Sequence, residues 1–259
     1  FMYLAYWAVH SPLQAKKDDY EKLSFIKNHK ERVLASMVLT VDRGVGKIRK
    51  ALKDNGIDQN TIIIFTSDNG APGYIGLPDL NKPYRGWKLT HFEGGVHIPF
   101  IVSYPNKITA GQIYNGRVSN MDIFSTFSEI AGLKPTNDIE IDGVNILPYL
   151  TGEIQGEPDR ILFSKSGSLS FLIKNGWKLQ IDFIQNKKWL FNLNNDPNEK
   201  INLTSINLEK LKELEELLNS KIKEQAKPIW PNLLSWPIFI DKTLNQKKSN
   251  LDEYTYWPN

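Results

Sequence analysis

Apolar residues recur along the chain with two different periods, which predict an alternation of strands and helices. Short continuous apolar runs, typical of strands buried on both faces, occupy residues 1–6, 62–65 and 100–103. Between the first two runs, apolar positions in residues 33–52 recur at helical spacing, and Asn55-Gly56 favours the end of that helix. Strand, helix and strand in this order predict a βαβ unit, with the two strands parallel and the crossover right-handed.

In the second half of the chain the apolar runs become shorter. Four such runs, separated by turn residues, lie within residues 161–193 and predict an antiparallel meander. A helix is predicted for residues 207–223, because leucines recur there on one face. Residues 228–259 show no period and are interpreted as an extended arm held by aromatic anchors. These changes predict two domains, residues 1–157 and residues 158–259.

The composition narrows the class of protein. The chain has 259 residues, 41% of them hydrophobic and 24% charged, which is ordinary for a folded domain with a substantial core. Its net charge of +3 comes from dispersed basic residues, so nucleic acid is not a predicted partner, and no apolar run approaches membrane-spanning length. The absence of cysteine excludes disulfides, zinc–thiolate sites and thiol nucleophiles within this chain.

Candidate chemistry lies where the predicted strands end. Asp68 and Asn69 directly follow the run at 62–65, and His10 follows the run at 1–6. In open α/β sheets, ligands bind outside the carboxyl ends of the strands. Carboxylate and amide oxygens are ligands of hard cations, and Lys88 lies in a basic, aromatic, glycine-rich loop some twenty residues further on. The pattern predicts a site for a divalent cation and an anionic group.

Together these segments resemble the sulfatase family, within the alkaline-phosphatase-like superfamily. The resemblance implies an α/β fold, part of an alkaline-phosphatase-like mixed sheet flanked by helices, with a smaller carboxyl-terminal antiparallel sheet plus helix. It covers nearly the whole chain. The matching segments are LAYWAVHSP (residues 4–12), VDRGVG (41–46), IFTSDNG (64–70), RGWKLTHFEGGV (85–96), LFNLNNDP (190–197) and NL (202–203).

The resemblance implies a sulfuric ester hydrolase that removes sulfate from a sulfated substrate, expected to be a carbohydrate. Asp68 and Asn69 would then be ligands of a single Ca²⁺, alternatively Mg²⁺, that polarises the sulfate oxygens. Lys88 would contact the sulfate and stabilise charge that develops in the transition state. His10 would act with Lys88 as the general acid that helps the alcohol to leave.

Several positions depart from the family's usual pattern. Val9 replaces a proline, and His97 stands where an arginine is usual, which places a structural ion pair in doubt. Arg85, Trp87 and His91 are weaker candidates for substrate contacts, with an alternative interpretation as anchors of the loop.

The nucleophile of the family is a formylglycine made from Cys or Ser in a C/S-x-P-S-R motif, and this sequence contains no such motif. The chain begins with Phe1 inside an apolar run, so we expect it to be the carboxyl-terminal portion of a longer protein and to be inactive alone. The formylglycine and further metal ligands are expected upstream. By resemblance, an extracytoplasmic location, periplasmic or secreted, is also expected.

Two other functions are compatible with these residues. One is a phosphatase or phosphodiesterase of the same superfamily, although two-metal phosphatases use more Asp and His ligands than are present here. The other is a non-catalytic protein that binds sulfated sugars, which would bind its ligand without turnover. Comparing sulfate and phosphate esters as substrates discriminates the first alternative from a sulfatase.

Overall fold

The computed structural model describes residues 1–133, 140–230 and 232–258. The chain divides into two compact units. Unit 1 comprises Phe1–Ile64 and Val102–Ala110, and unit 2 comprises Phe65–Ile101 and Gly111–Asn259. Among the residues described, none of the helices combines the length and apolar character that crossing a membrane requires.

Unit 1 is built on a long amphipathic helix. Helix α2 (His29–Asp54) begins at Asn28, whose side chain accepts a hydrogen bond from the backbone N–H of Glu31 at 3.1 Å. The short helix α1 (Lys17–Lys22) is held against α2 by Asp19, which accepts two 2.7 Å hydrogen bonds from the guanidinium of Arg43. These bonds hold the pKa of Asp19 well below its usual range. The predicted helix is therefore confirmed, and Arg43 has a structural role.

The predicted first strand is wrong. Residues 1–6 have no regular secondary structure and are exposed, with Phe1 98% exposed. A strand needs a neighbour that pairs with its backbone N–H and C=O groups, and no strand in the described part of the chain pairs with this segment. The predicted βαβ unit is consequently not formed within the described residues.

The other two apolar runs form strands. Strands β1 (Ile63–Thr66) and β2 (Phe100–Ser103) pair in a two-stranded sheet, and the short helix α3 (Glu93–Val96) precedes β2. Burial on both faces is not observed, because Phe65 is 37% exposed and Ile101 is 61% exposed. The apolar runs thus predicted the two strands correctly, whereas the prediction that both faces are buried is wrong.

Unit 2 contains two short helices, the first of which begins with a buried carboxylate. They are α4 (Asp122–Ile130) and α5 (Leu147–Leu150). Asp122 is fully buried and accepts hydrogen bonds from both Nη atoms of Arg160 and from the backbone N–H of Val144. The donors come from two other segments, so the carboxylate fixes three stretches of chain relative to one another.

The antiparallel meander is observed as predicted. Strands β3 (Leu162–Ser166), β4 (Leu169–Lys174), β5 (Trp177–Asp182) and β6 (Lys187–Asn192) pair in this order. Helix α6 (Leu208–Glu224) follows, and the side chain of Asn207 caps it by accepting from Lys210 N.

Both faces of this meander are covered. One face packs its leucines and Ile181 against α6, and the other packs large aromatic residues against Phe92, which immediately precedes α3. The first cluster contains Leu172, Leu179, Ile181, Leu190, Leu214 and Leu218, and the second contains Phe92, Phe171, Ile173, Trp189, Phe191, Leu193 and Ile240. The second cluster is what positions the loop around Lys88.

The carboxyl-terminal arm has more order than the sequence indicates. Strands β7 (Ser235–Phe239) and β8 (Tyr254–Pro258) pair antiparallel, with Trp236 opposite Trp257. The prediction of a wholly extended arm is therefore wrong, because the segment folds back on itself and satisfies its own backbone groups. We refer to residues 235–258 as the arm.

Candidate functional site

Two adjacent oxygen-bearing side chains follow β1. Asp68 is exposed, and its Oδ1 lies 3.5 Å from Ser67 Oγ. The Nδ2 of Asn69 donates a 3.0 Å hydrogen bond to Gly70 O, which fixes the plane of the amide while its Oδ1 remains available as an acceptor. A carboxylate and an amide oxygen therefore lie side by side at the end of a strand, as the sequence predicts.

Backbone hydrogen bonds bring the Lys88 loop alongside these residues. Lys88 N donates to Ala71 O at 3.0 Å, and Gly70 N donates to Gly95 O at 2.9 Å. The segment after Asn69 is thus bonded to both ends of the stretch from Lys88 to Gly95. Three of the four strongest candidate residues lie on two loops that are directly hydrogen bonded.

One asparagine joins the same two loops through its side chain. The Oδ1 of Asn81 accepts from Ala71 N at 2.8 Å, and its Nδ2 donates to Ala71 O at 2.8 Å and to Gly86 O at 3.0 Å. All of these partners are backbone groups of loops, which would otherwise need water or other polar partners.

Glycines allow these loops to approach closely. A Cβ on Gly70 would lie 1.8 Å from Gly94 O, and a Cβ on Gly94 would lie 2.2 Å from Gly86 O. Both distances are far shorter than van der Waals contact, so the backbones pack in a way that no other residue permits.

A buried ionic network lies beneath the Lys88 loop. Lys178 on β5 is fully buried, and its Nζ lies 2.7 Å from Glu93 Oε1 and 2.9 Å from Glu199 Oε1. Glu199 also accepts from Glu93 N at 2.5 Å and from Gln180 Nε2 at 2.9 Å. The network attaches α3, and with it the carboxyl-terminal end of the Lys88 loop, to the meander.

Burial and charge shift the pKa values of the two carboxyl groups of this network in opposite directions. Burial and the neighbouring Glu93 raise the pKa of Glu199 to about 7, although Lys178 opposes them. For Glu93, burial acts in the same upward direction, but Lys178 and His97 outweigh it and lower the pKa to about 2. The pKa values of the two carboxyl groups are therefore displaced in opposite directions around the same ammonium group.

The three weaker candidates have contacts within the protein. Arg85 donates to Asp241 and Glu253 at 2.6–2.7 Å. Trp87 is 5% exposed, and Gly73 packs against its ring. His91 is 7% exposed and meets Phe171 edge-on, and burial lowers its pKa to about 3. These are the contacts expected of loop anchors, and substrate contact by these three residues stays a prediction.

His10 belongs to unit 1, whereas Asp68, Asn69 and Lys88 belong to unit 2. Its side chain is exposed, and its Nδ1 lies 2.8 Å from Ser11 O. Its backbone N–H donates to Trp7 O at 2.9 Å, which closes a turn at this position. The role assigned to His10 by resemblance stays a prediction.

The donor set fits a hard cation in kind but not in number. Asp68 and Asn69 offer one carboxylate and one amide oxygen, the ligand types that Ca²⁺ and Mg²⁺ prefer, whereas such ions take six or more ligands. No cluster of three or more His, Asp or Glu side chains suited to a metal occurs in residues 1–133, 140–230 and 232–258. These two residues would therefore supply part of a coordination shell.

Sequence reasoning missed the residues that support the site. Asn81, Lys178, Glu199, Asp241 and Glu253 were assigned no function. One feature of the sequence could have identified Lys178. It lies between Trp177 and Leu179 in β5, and the flanking strands β4 and β6 carry apolar residues on both faces. A lysine in such a strand needs a buried carboxylate partner.

Two family models match this chain. The model described as Sulfatase matches residues 1–133, and the model described as N-sulphoglucosamine sulphohydrolase, C-terminal, matches residues 86–228. The chain is similar to N-acetylgalactosamine-6-sulfatase of Mus musculus, with 38% identity over 162 residues, which are 61% of this chain and 30% of that protein. It is equally similar to the uncharacterized sulfatase YdeN of Escherichia coli (strain K12), with 38% identity over 162 residues, 62% of this chain and 29% of that protein.

Solved structures show the same fold. The crystal structure of Ps i-CgsB is 33% identical, covers 88% of this chain and 51% of that chain, and gives a TM-score of 0.81. Ps i-CgsB has also been solved in complex with k-i-k-neocarrahexaose. The likeness confirms the predicted α/β class. The chain spans less than a third of the length of the curated relatives above and about half of Ps i-CgsB.

Proposed function

Because the chain belongs to the sulfatase family, we propose that the whole protein is a sulfuric ester hydrolase that removes sulfate from a sulfated carbohydrate. One observation carries the proposal. Asp68 and Asn69 lie on a loop that is hydrogen bonded directly to the backbone of Lys88. Cation ligands and a cationic side chain on adjoining loops suit a tetrahedral anion held between a metal and an ammonium group.

Relatives support the choice of a carbohydrate. The mouse relative is an N-acetylgalactosamine-6-sulfatase, and Ps i-CgsB binds an oligosaccharide, k-i-k-neocarrahexaose. Both proteins are more than 30% identical to this chain over the matched part.

The chain's own residues have distinct roles in this proposal. Asp68 and Asn69 would hold Ca²⁺, or alternatively Mg²⁺, as part of a larger set of ligands. The cation, when bound, polarises the sulfate oxygens. Lys88 contributes a positive charge where negative charge develops in the transition state. Electrostatic stabilisation of this kind is usually the largest single contribution to catalysis. His10 transfers a proton to the leaving alcohol oxygen.

The proposal also includes an attacking group that none of the motifs in this sequence supplies. It is the formylglycine expected of the family, since the sequence holds neither cysteine nor a C/S-x-P-S-R motif. An extracytoplasmic location is proposed from the same family membership.

The test measures sulfate release from sulfated oligosaccharides by the full-length protein. Lys88→Ala should lower kcat/KM roughly 10²- to 10³-fold, as removal of one transition-state donor does. Lys82→Ala is the matched control, because Lys82 lies in the same loop, is 69% exposed and pairs with Asp79. Chelation should abolish activity, and added Ca²⁺ or Mg²⁺ should restore it.

Three results would contradict the proposal. Activity indifferent to both chelation and Lys88→Ala would exclude the assigned site. Faster hydrolysis of phosphate esters than of sulfate esters would favour a phosphatase of the same superfamily. Binding of sulfated sugar without any release of sulfate would favour a non-catalytic binding protein.

A further inference from the structure

The arm reaches the loop that carries Lys88. The guanidinium of Arg85 donates through Nε and Nη2 to the two carboxylate oxygens of Asp241, at 2.7 and 2.6 Å. Its Nη2 also donates to Glu253 Oε2 at 2.6 Å. Both acceptors belong to the arm, and Arg85 lies three residues before Lys88. A two-pronged bond of this kind fixes direction as well as distance.

The arm makes a second connection, to residues that precede Arg85 in the chain. Leu244 N donates to Gly73 O at 3.1 Å, and Asn245 Oδ1 lies 2.9 Å from the position that a Cβ on Gly76 would occupy. Ile240 N donates to Glu253 O at 2.9 Å, so the segment between these residues closes on itself. The arm therefore presents Asp241 from a closed segment that is attached to the loop at more than one point.

Arg85 passes this constraint to the backbone on either side of Lys88. Its carbonyl oxygen accepts from Gly94 N at 2.6 Å, and its guanidinium lies 5.0 Å from the centre of the Phe92 ring. All three guanidinium nitrogens have partners within the protein, because Nη1 lies 3.5 Å from Glu199 O. The side chain is 17% exposed. These contacts are directed inward, toward the protein rather than toward a ligand.

We infer that the arm is a positioning element of the active site, and that Asp241 and Glu253 act through Arg85 to hold the loop carrying Lys88. The inference rests on the proposed function. Its physical basis is that Lys88 has to be placed within a fraction of an ångström of the reacting group, and a small misplacement costs rate far more than it costs stability. The Asp241 side chain is 51% exposed, so its ion pair stabilises the fold only weakly.

The experiment compares a substitution in the arm with a matched substitution elsewhere in the full-length protein. Asp241→Asn removes a charge that holds Arg85. Asp54→Asn is the matched control, because the side chain of Asp54 is 55% exposed and pairs with Lys50 in the same helix, α2. Asp241→Asn should lower kcat for sulfate release roughly tenfold to a hundredfold, with a much smaller change in KM. Asp54→Asn should leave kcat near the wild-type value, and both variants should melt near the wild-type temperature.

Further variants separate positioning from substrate contact. Arg85→Gln should lower kcat as Asp241→Asn does, and the double variant should be no worse than the poorer single variant, because both changes break one unit. Arg85→Lys keeps the charge and loses the fork, so it should fold normally and still lose rate. A rise in KM for Arg85→Gln that Asp241→Asn does not share would identify Arg85 as a substrate contact and overturn the inference.

Lys88→Ala, measured in the same series, distinguishes failure of this inference from failure of the proposed function. If Lys88→Ala abolishes activity while Asp241→Asn behaves like Asp54→Asn, the arm has no positioning role and the proposed function stands. If Lys88→Ala has no effect, the proposed function itself falls, and the inference falls with it.

Discussion

Replacing Glu199 by Gln should change how the free energy of unfolding depends on pH. Glu199 is fully buried, and burial with the neighbouring Glu93 raises its pKa from 4.5 to about 7. The folded state therefore holds this proton more tightly than the unfolded state does. The resulting stabilisation is fully present below about pH 4.5 and is lost as the pH rises to about 7. A rise of this size corresponds to about 3 kcal/mol.

A second buried group acts in the opposite direction over part of this range. Burial lowers the pKa of His91 from 6.5 to about 3, so its contribution is present above about pH 6.5 and is lost as the pH falls. Between about pH 4.5 and 6.5 the two effects oppose each other in the wild-type protein. The informative quantity is therefore the difference between Glu199→Gln and wild type at each pH, in which the contribution of His91 cancels.

Gln resembles the protonated carboxyl group, which gives the difference a definite sign. The NH2 group of Gln would face either Glu93 N or the donors of Lys178 and Gln180, which costs the same stability at every pH. Relative to its difference from wild type at about pH 4.5, Glu199→Gln should gain stability as the pH rises, by about 3 kcal/mol once the pH exceeds 7. Urea unfolding at several pH values measures this directly. Glu213→Gln makes the same substitution at a carboxylate that is 46% exposed on α6 and serves as the control.

The reasoning would be refuted if Glu199→Gln lost stability progressively as the pH rose. That outcome would mean that Glu199 is ionised at neutral pH and that its pairing with Lys178 outweighs the burial of a second negative charge. Curves that stay parallel at all pH values would likewise exclude a titrating Glu199.

Two further predictions concern the packing beneath the loop. Gly94→Ala should destabilise the protein by more than about 2 kcal/mol, because the new Cβ would lie 2.2 Å from Gly86 O, whereas Gly46→Ala in α2 meets nothing within 4 Å and should be neutral or stabilising by up to about 1 kcal/mol. Thermal unfolding compares them, and equal melting temperatures would contradict the packing argument. Lys178→Met should lower the free energy of unfolding by about 3–5 kcal/mol, because it removes the ammonium group that pairs with the buried Glu93 carboxylate. Denaturant unfolding measures this loss. A loss of stability below about 1 kcal/mol would show that water reaches the carboxylates.

The local hydrophobic pattern was sufficient to predict the elements that satisfy their own backbone hydrogen bonds. The helix over residues 29–54 and the meander over residues 162–192 form their hydrogen bonds within or between neighbouring segments, so period and turn residues predict them. Residues 1–6 have a strand pattern but depend on a distant partner, which no local pattern supplies. In the arm, Pro237 and a spacing of some fifteen residues between the two strands obscured the pairing.

The same distinction applies to the candidate site. That Asp68 and Lys88 belong to one site was predicted from the strand end that precedes Asp68 and from the resemblance of the Lys88 loop to the sulfatase family. The contact between Arg85 and Asp241 joins residues 156 positions apart, and no period or motif links them. Lys178 was hidden for another reason. In β5 it alternates with apolar residues, which usually indicates a solvent face, whereas both faces of this sheet are covered.

The three hydrogen bonds of Asn81 leave its position no chemical substitute. An aspartate of the same shape would lose both donors and set a negative charge against the carbonyl oxygens of Ala71 and Gly86. A leucine has a similar branched shape but would leave Ala71 N and Gly86 O without the amide, and Ala71 O with only the bond from Lys88 N. Glutamine carries the same amide on a side chain that is one methylene longer, so its amide would no longer lie opposite both Ala71 N and Ala71 O. A neutral, short amide is the single side chain that lets two irregular loops bond to each other as the edges of a sheet do.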